Sequence, residues 1–115
     1  MVIFIFQVRG GRDAQNTKGR LINCVITQCG LSGIASGKNA LIELEGDQTK
    51  VGGNVTSGYD CYGLHTSATS SIIHLLFPLT KESVSTNNQG GNYGSCHGGT
   101  IQTVTTFAET EATNA

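Results

Sequence analysis

The 115-residue chain has no tryptophan, one proline and one methionine, and only 13% of its residues are charged. Charged residues make up ~25% of an ordinary globular domain, so this sequence fits amphipathic helices badly. With seven basic and eight acidic residues the formal net charge is −1, which excludes long-range steering towards nucleic acid or an acidic membrane. The apolar opening Met1-Val2-Ile3-Phe4-Ile5-Phe6 is too short to cross a bilayer or to serve as a signal segment. No two of the cysteines Cys24, Cys29, Cys61 and Cys96 are spaced C-x-x-C, which removes zinc-ribbon and thioredoxin-type chemistry. The segment from Gly33 to Asn39 fails as a phosphate loop, because three residues separate its glycines and Asn39 follows Lys38. Without tryptophan, an aromatic platform for sugars is left to Tyr59, Tyr62 and Tyr93.

What the chain does have is 16 glycines and many Ser, Thr and Asn, a composition that fits short strands joined by tight turns. Its β-branched residues come in organised runs, which sets it apart from a disordered chain. One domain is expected at this length. Residues 1–20 read as an N-terminal strand followed by a flexible basic and glycine-rich linker holding Arg9, Arg12, Lys18 and Arg20. Asp13 within that stretch, and the lack of interleaved aromatics, argue against a nucleic-acid arm. Residues 21–108 carry the strand pattern, and 109–115 form a polar tail. The cysteines allow three disulfide connectivities, among which sequence does not choose, and free buried thiols are expected. Asn54-Val55-Thr56 is a glycosylation sequon that matters only after secretion.

Two stretches echo each other at roughly 30 residues, a period typical of stacked repeats. Asn23-Cys24-Val25-Ile26-Thr27, Gly33-Ile34-Ala35-Ser36 and Leu41-Ile42-Glu43-Leu44 are followed by Asn54-Val55-Thr56-Ser57, Gly63-Leu64-His65-Thr66 and Ile72-Ile73-His74-Leu75. The strands are too short and too closely spaced for crossover helices, so the repeated order favours coils stacked in parallel. Aligning the aliphatic strands predicts Ile42 beneath Ile73, Leu44 beneath Leu75 and Glu43 beneath His74 on the outer face. Pro78 is expected to close the second cycle, and the repeat to fade after it. A short helical turn is predicted within 80–85 and a last strand over 100–107.

The Asn-led segments, each followed by a Gly-aliphatic step, resemble the right-handed parallel β-helix, the pectate-lyase-like fold. The resemblance covers about Leu21 to Leu76. It implies an all-β, short right-handed parallel β-helix (solenoid) of a few coils, with asparagines stacked on one another between coils. It also implies two activities to weigh, carbohydrate binding and polysaccharide cleavage.

Glu43 beside His74 places a carboxylate next to an imidazole, the pairing of an orienter with a base, and Glu45 extends the acidic patch. Asp60 and His65 flank Gly63, but no further Asp clusters near Asp60 and no arginine follows residue 20, which argues against lyase chemistry. Glu45 and Asp47 are too few for calcium, which wants six to eight oxygens. Cys61 and His65 have a ligand-like spacing, but Cys96-His97 does not, because neighbours in a strand point to opposite faces. No cofactor and no metal is therefore expected. The expectation is a non-enzymatic repeat module for binding a glycan or protein surface, or for structural assembly by self-association through the solenoid ends. Its predicted contact residues are Glu43, Glu45, His65, His74 and Tyr62. The alternative is a polysaccharide-degrading β-helix enzyme using a carboxylate pair drawn from Glu43, Glu45, Asp47 and Asp60. The compartment is left open, extracellular or surface if the chain is part of a longer one.

Overall fold

The computed structural model describes residues 2–3, 6–8, 17–27, 32–37, 40–54, 62–67, 70–95 and 98–107. Over these residues the protein is all-β with parallel sheets. Its strands are β1 (Val2–Ile3), β2 (Phe6–Val8), β3 (Thr17–Ile22), β4 (Val25–Ile26), β5 (Ile34–Ser36), β6 (Ala40–Glu45), β7 (Lys50–Gly52), β8 (Leu64–Thr66), β9 (Ile72–Leu76), β10 (Ser85–Thr86), β11 (Tyr93–Ser95) and β12 (Thr100–Val104). One helical turn, α1 (Lys81–Val84), precedes β10. Every third strand pairs in parallel, giving three four-stranded sheets ordered β1-β4-β7-β10, β2-β5-β8-β11 and β3-β6-β9-β12. The chain thus visits the three sheets in the same order four times.

Alternation within single strands produces the core. In β6, Ala40, Ile42 and Leu44 are buried while Leu41, Glu43 and Glu45 point the other way. Parallel register then repeats the choice from circuit to circuit. Leu21, Leu44 and Leu75 stack in one column, and Ile42, Ile73 and Ile101 in another. Ile26 and Val51 form a third column, and Ile34 and Leu64 a fourth. The expected pairs Ile42–Ile73, Leu44–Leu75 and Glu43–His74 are all present in register.

The interior also holds polar columns, and these are satisfied internally. Ser36, Thr66 and Ser95 are in register, and the Thr66 hydroxyl donates to Ser95 Oγ at 2.8 Å. Asn54 and Asn88 stack as an amide pair, with Asn54 Nδ2 donating to Asn88 Oδ1 at 2.7 Å. Asn88 Nδ2 in turn donates to the Val51 carbonyl at 3.1 Å and to Ser85 Oγ at 3.0 Å. The stacked asparagines are therefore Asn54 and Asn88, not Asn23 and Asn54. Asn23, at φ 52°, serves a turn instead: its Oδ1 accepts from Gln48 N at 3.0 Å. The same oxygen fills the space where Gly46 (φ 102°) would carry a Cβ, so that turn requires glycine. Asn54 is 2% exposed, and its engaged amide puts the sequon out of reach of modification in the folded state.

Two expectations are corrected by the topology. The boundary at residue 21 falls inside β3, and Lys18 and Arg20 are strand residues aligned with Leu41 and Glu43. Their charges face the third sheet's acidic residues, which is why a basic stretch takes a strand conformation. The repeat also does not fade after Pro78. Pro78 lies in a turn, outside the ladder, and β10, β11 and β12 continue all three sheets. The predicted helical turn is α1, whose N-cap Thr80 and Ser83 form a reciprocal capping box. Cys24 is a buried free thiol. The expectations placed on residues 9–16 and 109–115, and on Cys29, Tyr59, Asp60, Cys61, Cys96 and His97, lie outside the described residues.

Truncating the asparagine stack is the sharpest test of this interior. Asn88→Ala removes the oxygen that accepts from Asn54 Nδ2 and the amide that donates to the Val51 carbonyl, and a lost partner to a buried polar group costs about 1–3 kcal/mol. Urea denaturation is expected to show a loss of roughly 2–4 kcal/mol, against a near-neutral change for the exposed neighbour Gln89→Ala.

Candidate functional site

The predicted contact residues separate into two groups on different sheets. Glu43, Glu45 and His74 lie on the outer face of the third sheet, whereas Tyr62 and His65 belong to the second. Tyr62 packs face to face on His65, with ring centroids 5.5 Å apart and an interplanar angle of 10°. The position below Tyr62 is Gly94, where a Cβ would sit 2.5 Å from Tyr62 Cε2, so the ring lies directly on backbone. His65 is 7% exposed. Its predicted contact role is corrected on that ground, because the tyrosine covers it.

The third sheet carries the chemistry. Arg20, Glu43, His74 and Gln102 stand in register across β3, β6, β9 and β12, forming one transverse polar row. Arg20 Nε donates to Glu43 Oε1 at 2.9 Å and Nη2 reaches the same oxygen at 2.8 Å. Lys18 Nζ stands 3.8 Å from that oxygen, and Arg20 Nη1 is 4.0 Å from Glu45 Oε1. At the far side, Gln102 Nε2 lies 3.4 Å from His74 Nε2. The Phe107 ring closes the row: it follows β12, yet it packs 4.6 Å from the Arg20 guanidinium on β3.

Glu43 was expected on an open face, and this is the second correction. The pleat does aim it outward, but its exposure is 0%. A carboxylate so buried is tolerated because a guanidinium binds it, since desolvation otherwise costs several kcal/mol per ion. Glu43 Oε2 receives no hydrogen bond from any described residue. Burial lowers the pKa of His74 from its ordinary 6.5, and the Glu43 charge opposes this without cancelling it. The shift favours the neutral imidazole, and the tautomer sets which of His74 Nε2 and the Gln102 amide donates across the 3.4 Å contact.

Chemically, the row is a charge-neutralising strip rather than an open acid–base pair. Of the four carboxylates considered for catalysis, Glu43 is sealed and bound to Arg20, and Glu45 shares that arginine while half-buried. Asp47 is exposed in the turn after β6. No group of three or more His, Cys, Asp or Glu side chains suited to a metal occurs among the described residues. No helix among them is long and apolar enough to cross a membrane.

No match is found. Protein-family models, curated proteins and solved structures were each compared with the chain, and none resembles it closely enough to count.

Sequence reading missed Arg20, Lys18, Gln102 and Phe107. The signal for Arg20 was present but misplaced: it precedes Glu43 by 23 residues, while Glu43 precedes its register partner His74 by 31. A fixed period aligns the last two and passes over the first.

Two outcomes are expected. Arg20→Ala strands a buried charge, a change that costs 3–5 kcal/mol in a fully buried pair. Because Arg20 is 42% exposed and Lys18 remains nearby, the measured loss in chemical denaturation should be smaller, about 2 kcal/mol. His74 gives a pH dependence of known sign. Its folded pKa lies below the unfolded 6.5, so acidification protonates the unfolded chain first. Denaturation midpoints should hold steady above pH 6.5 and fall as the pH drops below it, and His74→Gln should flatten that part of the profile.

Proposed function

We infer that the protein is a short parallel β-helix of four coils and that it works without catalysis, as a binding or assembly module. The observation that carries this reading is the fate of Glu43. The side chain best placed to act as an acid or base beside an imidazole has no solvent exposure and is bound by Arg20. Its burial supports a role in holding coils together. The three in-register sheets support the β-helix reading, because each circuit adds one strand to each sheet. Solenoids of this kind present extended faces to partners.

Among the described residues, Tyr93 is the tyrosine with an exposed ring, at 39%. Lys81 Nζ sits 5.0 Å from its centroid, and its hydroxyl lies 3.4 Å from Glu82 Oε2. One ring shared with a lysine is a small platform for a sugar, so assembly is favoured over glycan binding.

Incubation with a panel of pectic, cellulosic and chitinous polysaccharides tests the reading. No new reducing ends and no unsaturated products should form, and affinity electrophoresis in the same polymers should show no retardation. Product formation abolished by Glu45→Gln would establish the enzymatic alternative. Retardation abolished by Tyr93→Ala would establish glycan binding.

A further inference from the structure

We propose that the two ends of the coil stack dock on each other, so that copies of this chain add head to tail into an open series. The proposal rests on the β-helix reading and names the partner: a second copy.

Each end presents three parallel edge strands, uncharged at one end and carrying Lys18 and Arg20 on β3 at the other. Among the described residues, β1, β2 and β3 terminate the three sheets at one end, and β10, β11 and β12 terminate them at the other. All pairing in between is parallel, so a copy placed end to end continues each sheet in the direction it already runs. Edge strands usually carry Lys, Pro or a bulge that discourages such addition. β10, β11 and β12 consist of Ser85-Thr86, Tyr93-Gly94-Ser95 and Thr100-Ile101-Gln102-Thr103-Val104, with no charge and no proline.

Within β12 the free groups can be assigned. Thr100 N donates to Ser71 O, and Val104 O accepts from Phe77 N. Residues 100, 102 and 104 therefore bond inward to β9, and by alternation the peptide groups of Ile101 and Thr103 face the open edge.

The register columns say what would meet what. One column runs Lys18, Leu41, Ile72, Thr100 and the next runs Arg20, Glu43, His74, Gln102. Continuing them into the next copy sets neutral Thr100 and Gln102 against cationic Lys18 and Arg20, with the Gln102 carbonyl available as an acceptor. Two residues further along both strands, Val104 falls on Ile22, an isoleucine that is 52% exposed. The contact is also large enough. The shortest dimension, 21 Å, suits four strand layers at about 4.8 Å with their intervening loops. The other two, 40 and 31 Å, enclose about 1,000 Å², so one contact covers about 2,000 Å² over both partners, the upper part of the range for stable interfaces. Because the two surfaces differ, the association is heterologous and does not close at a dimer.

Sedimentation velocity over a wide concentration range tests this. The mass-average should rise continuously with concentration and pass beyond the dimer. Thr100→Lys/Gln102→Lys sets like charges against Lys18 and Arg20 and should weaken association about tenfold or more. Thr100→Glu/Gln102→Glu should strengthen it, and added salt should shrink both effects. A monomer at every concentration, a series that stops at a dimer, or two variants with the same sign of effect would each overturn the proposal. Amide cross-peaks between the Glu43 and His74 strands, recorded on the same samples, separate the two levels. A monomer that keeps them defeats the docking alone, while their loss defeats the β-helix reading itself.

Discussion

Parallel register between successive circuits is the constraint on which the remainder of this structure depends. Each strand pairs in parallel with its counterpart one circuit away, so a residue's nearest cross-strand neighbour is the one in register on the next strand of its sheet. Like must then tolerate like. Aliphatic columns such as Leu21–Leu44–Leu75 gain from this directly, because every member is buried by the next. Polar positions survive only as mutually satisfied columns, which is why the Asn54 and Asn88 amides bond to one another and Thr66 bonds to Ser95. Charged positions cannot repeat at all. Arg20, Glu43, His74 and Gln102 show the solution: guanidinium, carboxylate, imidazole and amide in succession across one row.

That constraint also explains the low charge content. A charge on a sheet face stands about 4.8 Å from the register position on the adjacent strand, where a like charge would be destabilising. Ser, Thr, Asn and Gly impose no such penalty. β12 accordingly exposes the uncharged Thr100, Gln102 and Thr103, and on β3 Arg20 sits opposite Glu43, with Lys18 Nζ 3.8 Å from the same carboxylate.

Much of the fold was legible because alternation in β6 and β9 is clean and their spacing is close to the echo in Gly33–Ile34 and Gly63–Leu64. From those strands alone the pairs Ile42–Ile73 and Glu43–His74 follow. The first and last circuits were harder, since turns of unequal length displace β3 and β12 from any constant period, and a column is visible in sequence only when the period holds. The state of Glu43 was not legible for a different reason. Facing outward is a property of the strand, but burial depends on what crosses the face. Here that is Arg20 from the first circuit and Phe107 from beyond the last, which no local pattern connects. Asn23 misled in a third way, because an asparagine in a left-handed turn looks in sequence like one in a ladder.

The Arg20–Phe107 contact has a consequence for how the molecule comes apart. A stack of repeats held only by nearest-neighbour interfaces unzips from its ends, one unit at a time. This contact joins β3, at one edge of the third sheet, to a residue that follows β12 at the other edge, so neither edge strand can peel away without disturbing the other. A single cation–π pair of about 0.5–2 kcal/mol thus does more than its energy suggests. It turns a linear array into a loop of dependencies, and it shifts unfolding from gradual fraying towards a single cooperative event.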